Sequence, residues 1–450
     1  MKKMLACFKA YDIRGRLPGE LNPELAVKIG RAFVAVCGLK KVAIGHDIRL
    51  SSPQLAEALM AGVRDGGADV VFLGLCATEE VYHAAFHLQN EGVDGGVMIT
   101  ASHNPADYNG MKFVVAGAAP LASASLEAMA VRIEADDLPV QAAVPGKKTD
   151  FFDKAAYIKH LLSYIEPAKL RPLKIVANCG NGCAGPILDL LAPSLPFTFI
   201  RLNHQPDGHF PKGVPNPLLP ENRAETARAV RESGADLGLA WDGDADRCFF
   251  WDERGDFIEG YYMVGLLAGE MLRLAPGATI LYDPRLTWNT EELVASAGGR
   301  AVMSKTGHAF IKEKMRKEGA VYGGEMSAHH YFRDFGSCDS GMIPWLLVAA
   351  LVAAGETPLS AMVGARMRAY PVSGEINRTV ADAGAVLAAF EGRYADGRQE
   401  FLDGLSVSYP SWRFNVRKSN TEPLLRLNVE TRGDEGLLRE KTEELLSFIK

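Results

Sequence analysis

The chain has 450 residues, long enough for three or four domains at ~100–200 residues each. Apolar residues make up 48% and charged residues 23%, which excludes a disordered or fibrous chain. The 49 Lys and Arg against 55 Asp and Glu leave a net charge of −6, which argues against a nucleic-acid binder working through bulk positive charge.

Seven cysteines are scattered along the chain without a CxxC pair, so neither a disulfide framework nor a zinc knuckle is indicated. Reduced thiols in a cytosol fit best, and a cytoplasmic protein is expected. The start, with Lys2, Lys3 and a short apolar stretch to Cys7, lacks the ~7–15-residue apolar region of a secretion signal. The longest apolar run, 342–354, is short of the ~20 residues that span a bilayer and reads as a buried helix.

In chain order, short β-rich runs alternate with longer helical patterns, as in parallel α/β layers. Residues 41–44, 69–73 and 96–100 are predicted strands, and 53–65 a helix with Ser51 or Ser52 as its cap. A second round places strands at 173–178 and 236–241 around a helix at 186–191. A third places strands at 279–283, 301–303 and 321–323, with helices at 291–297 and 308–317. The last ~80 residues alternate polar and apolar side chains at 413–417 and 424–429, then close with a helix at 437–449, an α+β pattern. Polar stretches with Pro and Gly near 145–149, and chain reversals near 252–255 and 370–374, mark seams. The expected domains are 1–150, 151–251, 252–370 and 371–450, and no solenoid repeat is visible.

Four constellations carry chemistry. Thr100-Ala101-Ser102-His103-Asn104-Pro105 follows a strand end, where α/β folds place ligands, and Pro105 and Gly110 set turns that expose Ser102. His103 is adjacent in sequence, which does not make it the base for Ser102. Asp242-Gly243-Asp244-Ala245-Asp246-Arg247 ends an apolar strand, and three alternating carboxylates suit a hard divalent cation such as Mg²⁺. An EF-hand reading fails because Arg247 stands where the loop needs Gly. In Gly324-Glu325-Met326-Ser327-Ala328-His329-His330, Glu325 and Ser327 point the same way if the chain is extended, as a pair that reads sugar hydroxyls. Arg417-Lys418-Ser419-Asn420-Thr421 offers hydroxyls, an amide and a guanidinium to a phosphate, without a Walker glycine loop.

Together these runs, with Phe8–Gly15 and the 206–217 loop, resemble the α-D-phosphohexomutase superfamily over the whole chain, and the segment around Met326 resembles its bacterial phosphomannomutase branch. The resemblance implies an α/β, four-domain architecture: three similar domains with mixed sheets, a C-terminal α+β domain and a central cleft. It implies a reversible interconversion of mannose 6-phosphate and mannose 1-phosphate through a phosphoserine and a hexose 1,6-bisphosphate, with glucose phosphates also accepted. Ser102 would carry the phosphoryl group, and Mg²⁺ would sit between Ser102 and Asp242, Asp244 and Asp246. Arg14, Lys112, His103 and Arg247 would complete the catalytic set. Tyr11, His308, Glu325, Ser327 and His329 would hold the sugar, and Arg417, Ser419, Asn420 and Thr421 the phosphate that is not being transferred. Phosphosugars would be the partners of a monomer or homodimer, with neither nucleic acid nor membrane. His46, where many relatives have Arg, and Arg285, where some have Lys, leave sugar preference open, so a glucose-preferring mutase is the alternative. A Mg²⁺-dependent sugar phosphatase would use the same aspartates but leave Ser102 without a role. A carbohydrate-binding module would need aromatic platforms that a chain with 8% aromatics does not obviously present.

Overall fold

The computed structural model describes residues 5–418 and 424–449, so Ser419, Asn420 and Thr421 lie outside the described residues. The chain divides into two compact units, Met1–Phe257 with Asp334–Glu356, and Ile258–Arg333 with Thr357–Lys450.

The first unit holds two mixed sheets. In the first, strands run in the order Ile13–Arg16, Tyr108–Val115, Gly95–Ile99, Lys41–His46, Asp69–Leu75 and Lys148–Asp150. The last four are parallel, and Tyr108–Val115 joins them antiparallel. Gly95–Ile99 is buried along its whole length, which is why it reads as an unbroken apolar run. Within the polar stretch near 145–149, Lys148–Asp150 forms an edge strand beside Asp69–Leu75. All three residues are exposed on an edge, so no apolar pattern announces the strand.

Two helices cover one part of this sheet. Pro23–Cys37 begins where Asn22 accepts from the Leu25 N–H at 2.9 Å with Pro23 in the first turn, and ends at Gly38 with φ 66°. Ser52–Asp65 corrects the expected cap: Ser51 stands at the N-cap with φ −83° and ψ −17°, and its side chain does not cap. Ser51 instead accepts from Asn109 Nδ2, and Ser52 donates to Asp47 at 2.5 Å. The two helices touch backbone to backbone, since a Cβ at Gly62 would lie 2.0 Å from the Val27 carbonyl.

The second sheet carries Thr198–Leu202, Lys174–Asn178 and Leu237–Trp241 in parallel, with Cys248–Trp251 antiparallel to the last. Ile343–Ala354 packs within the same unit as a buried helix, as its composition predicts. Trp241 Nε1 donates to the Gly341 carbonyl at 2.9 Å, and the Trp241 and Trp345 rings meet edge to face.

In the second unit, strands Arg300–Met303, Thr279–Tyr282 and Tyr322–Gly324 are parallel, and His330–Phe332 is antiparallel to the last. The C-terminal sheet is wholly antiparallel in the order Ile376–Thr379, Leu424–Thr431, Trp412–Lys418, Leu405–Ser408 and Arg398–Glu400. Phe390, Phe414, Leu427 and Leu445 fill the core between this sheet and the helices Ala383–Arg393 and Glu435–Phe448. Among the described residues no single helix is long and apolar enough to cross a membrane.

Candidate active site

Ser102 stands three residues beyond strand Gly95–Ile99, with φ 50°. A left-handed serine is strained unless its surroundings impose it, and here two devices do. Thr100 Oγ1 accepts from the Ser102 N–H at 2.8 Å. Arg49, buried, donates to the carbonyls of Ser102, Asn104, Pro105 and Tyr108 at 2.6–3.0 Å, so one guanidinium gathers the whole loop. The resulting conformation turns the Ser102 hydroxyl toward Asp242, to which it donates at 3.0 Å.

The aspartates arise from a hairpin. Trp241 pairs with Cys248 across antiparallel strands, so residues 242–247 must reverse the chain, and Ala245 takes φ 57° to do so. The reversal folds three alternating carboxylates inward, with ligand atoms all within 4.8 Å of one another. Arg247 donates to Asp242 at 2.6 Å, and Lys112 Nζ lies 2.7 Å from Asp244 and 2.5 Å from Asp246. All six of Ser102, Lys112, Asp242, Asp244, Asp246 and Arg247 are buried.

Two cations against three carboxylates leave one negative charge uncompensated. Burial pushes the Asp242 carboxyl up to about 6, against the pull of Arg247. Burial would raise Asp244 too, but Lys112 and the Thr78 hydroxyl outweigh it and hold that carboxyl well below the usual range. Asp244 Oδ1 and Asp246 Oδ1 are buried and take no hydrogen bond among the described residues. Converging, orphaned carboxylate oxygens of this kind fit a hard divalent cation.

His103 and Arg14 flank the serine. His103 Nδ1 lies 3.1 Å from Ser102 Oγ and accepts from Arg247, which can only donate. Burial, Arg247 and Arg14 push its protonation well below the ordinary histidine range, so it is a neutral acceptor. The adjacency that the sequence left undecided is thus a real contact. Arg14 donates to Asp12 at 2.9 Å and to Asn104 at 2.6 Å, and Tyr11, half-buried, immediately precedes Asp12.

A second group of the expected residues lies in the other unit. Glu325 and Ser327 do not sit on extended chain, which corrects that expectation. The strand ends at Gly324, Ala328 takes φ 71°, and the Ala328 N–H donates to the Glu325 carbonyl in a tight turn. Glu325 instead turns inward, accepting from the Gly307 N–H at 3.0 Å and the Tyr331 hydroxyl at 2.6 Å. Ser327 accepts from Arg285 Nη2 at 3.2 Å. His308 opens the helix His308–Glu318, and His329 stacks on Tyr331, both half-buried. Arg417 lies directly across from Arg426 on neighbouring strands.

Three groups escaped the sequence reading. Thr78 starts a helix and gives its N–H to the Asp244 carbonyl and its hydroxyl to the Asp244 carboxylate at 2.6 Å. Arg49 follows the strand Lys41–His46 and holds carbonyls more than 50 residues further along the chain. Glu375 receives Arg417 and Arg426 at 3.0 and 2.9 Å. Each is a polar residue whose partner is remote in sequence, and no local pattern marks it.

A hydroxyl held against clustered carboxylates at the ends of parallel strands suits an α/β enzyme that handles phosphoryl groups at a divalent cation. Models of phosphoglucomutase/phosphomannomutase domains match in order: the alpha/beta/alpha domains I at residues 6–139, II at 155–255 and III at 259–370, and the C-terminal domain at 375–447. A Xanthomonas campestris protein named phosphohexose mutases is 56% identical over 452 residues, 99% of each chain. A phosphomannomutase from Escherichia coli K12 is 52% identical over 459 residues, again 99% of each. The crystal structure of a phosphoglucomutase/phosphomannomutase family protein from Burkholderia thailandensis superposes with TM-score 0.88 at 32% identity, covering 98% of this chain and 97% of that one. A likeness of fold alone reaches the Aspergillus fumigatus N-acetylphosphoglucosamine mutase in complex with GlcNAc-6P and magnesium, at TM-score 0.57 and 14% identity over 99% of this chain and 95% of that one. The chain belongs to the phosphoglucomutase/phosphomannomutase family.

Proposed function

We propose that this enzyme interconverts mannose 6-phosphate and mannose 1-phosphate, accepts glucose phosphates as well, and carries the phosphoryl group on Ser102. The observation that carries the reading is the Ser102 hydroxyl at 3.0 Å from Asp242 in a left-handed turn that Arg49 enforces. The relatives named phosphomannomutase support mannose as the substrate.

Asp242, Asp244 and Asp246, with the Ser102 oxygen, would hold Mg²⁺. When bound, the cation would supply charge neutralisation to the phosphoryl group. A phosphoserine adds a charge of about −1.5 to −2, which the single uncompensated carboxylate could not tolerate without it. Arg247 holds Asp242 and His103, fixing the floor beneath Ser102. Lys112 pins the other two aspartates at their Oδ2 atoms and leaves both Oδ1 atoms open. Arg14, steadied by Asp12 and Asn104, and Lys112 would assist proton transfer at the reacting sugar hydroxyl as fixed cations that donate to it. Tyr11, His308, Glu325, Ser327 and His329 would bind the sugar, and Arg417, Ser419, Asn420 and Thr421 the phosphate that is not transferred. The phosphoserine would donate to the free hydroxyl to give a hexose 1,6-bisphosphate, which would return its other phosphate to Ser102. We read four domains, 1–150, 151–251, 252–370 and 371–450, in a cytoplasmic monomer or homodimer.

³¹P NMR with Mg²⁺, mannose 1-phosphate and a trace of hexose 1,6-bisphosphate tests the reading. A growing 6-phosphate signal without inorganic phosphate is expected. Release of inorganic phosphate would make the protein a phosphatase instead.

A further inference from the structure

Glu375 stands where the C-terminal family match begins, and three guanidiniums converge on its carboxylate. Oε1 accepts from Arg426 Nη1 at 2.9 Å, and Oε2 from Arg417 Nη2 at 3.0 Å and Arg285 Nη1 at 3.5 Å. Arg285 is already satisfied by a bidentate grip on Asp283, at 3.0 and 2.9 Å. Arg417 and Arg426 are not: they face each other across the sheet as a like-charge pair, and Glu375 is the carboxylate that reaches both. Arg417 is 8% exposed, and the Nε of each arginine is buried without a partner among the described residues. The pair therefore holds donor capacity that Glu375 does not use.

We propose that Glu375 is a positioning residue that stands in for the substrate's untransferred phosphate: it keeps Arg417 and Arg426 aligned while that position is empty, and it weakens their grip on the phosphate enough for product to leave. This rests on the reading of Arg417 as a phosphate ligand. The physical logic is one of charge. Two adjacent guanidiniums without Glu375 would repel each other when empty and bind a phosphate dianion too tightly when full. With Glu375 the three cations are balanced by Asp283, Glu325 and Glu375, so the phosphate meets donors in place but a softened field. Burial would raise the Glu375 carboxyl, yet Arg285, Arg417 and Arg426 bring it down to about 2, so it is charged throughout the working pH range.

The test is steady-state kinetics of the full-length enzyme with mannose 1-phosphate, across a series of salt concentrations. Glu375→Gln keeps the shape and removes the charge. Its KM should fall about tenfold, equivalent to ~1.4 kcal/mol, with kcat falling alongside as release slows and with a steeper salt dependence. Glu375→Asp, which keeps the charge, should return KM to within about twofold of the parent. A purely structural role would raise KM or leave it alone in Glu375→Gln, and either result from a protein with an unaltered melting temperature overturns the proposal. Arg417→Ala separates the two readings. If it keeps the parent's KM, the assignment of Arg417 itself fails and this proposal with it. If it loses affinity while Glu375→Gln gains none, only the proposal about Glu375 fails.

Discussion

Gly243 offers a quantitative test of how closely the two loops of the first unit depend on each other. A Cβ built at Gly243 would lie 2.8 Å from the carbonyl oxygen of Ser102, and the nearest atom outside that carbonyl group, Pro215 Cγ, is at an ordinary 3.8 Å. Gly243 is not among the residues of positive φ, so Gly243→Ala carries no conformational strain of its own. Its cost comes from the contact with Ser102. Restoring a normal separation requires about half an ångström of movement, and the Ser102 loop cannot yield freely because Arg49 holds four of its carbonyls. With ~10²-fold lost per ångström of misplacement, kcat should fall about tenfold, while stability drops by about 1 kcal/mol from overpacking. KM should stay near the parent value, since the sugar-facing residues are untouched. The assay is mutase turnover with a thermal melt, beside Gly269→Ala as a control, where a Cβ meets nothing within 4 Å in a helix interior. That control should match the parent in turnover. A Gly243→Ala enzyme with unchanged kcat would refute the claim that the aspartate turn sets the position of Ser102.

Further outcomes follow from other buried groups. Glu79 is fully buried and accepts from Tyr157, Gly341 N–H and Met342 N–H, so Glu79→Ala should cost about 2–5 kcal/mol in denaturant titration by orphaning two amides. Glu79→Gln, which can still accept from both amides, should cost under ~1 kcal/mol; equal losses would contradict this account. His83, packed among Phe86, His87, Tyr157, His160 and Phe335, is held neutral by burial, with its pKa brought down to about 3. The unfolded chain then binds the extra proton between pH ~6.5 and ~3, so this histidine removes stability as pH falls through that window, by up to about 4–5 kcal/mol. His83→Phe should flatten the acid limb of a stability–pH curve, and an unaltered limb would exclude His83 as its source. Chelation should abolish turnover and lower the melting temperature by a few degrees, with Mg²⁺ restoring both in the parent. In Asp244→Asn the added Mg²⁺ should leave the melt unmoved, and a parent melt indifferent to Mg²⁺ would dissociate the aspartates from the metal.

Much of the candidate site was legible because its parts are local. The aspartates stand at alternate positions within five residues, and the Ser102 loop follows a wholly apolar strand. Both sit where a strand must end, so the pattern of the chain announces them. Glu325 and Ser327 were legible as a pair but not in their geometry. Their supposed extended spacing is a turn, because Gly307 and Tyr331 draw the carboxylate inward. The edge strand Lys148–Asp150 was invisible for a different reason: its three exposed polar residues owe their conformation to Val70–Phe72 alongside, not to any preference of their own.

The amino-acid sequence by itself determined the α/β alternation, the antiparallel character of the C-terminal domain and the identity of the chemical groups, since apolar periodicity and short motifs are properties of neighbouring residues. Only the tertiary structure decided how those groups are charged and held. Lys112 meets Asp244 across 132 positions of chain, Thr78 meets it across 166, and Arg49 gathers carbonyls more than 50 residues away. Such pairings depend on which strands lie side by side, and burial then fixes their strength. A lysine, a threonine or a glutamate carries no mark in the sequence of the partner it will be packed against.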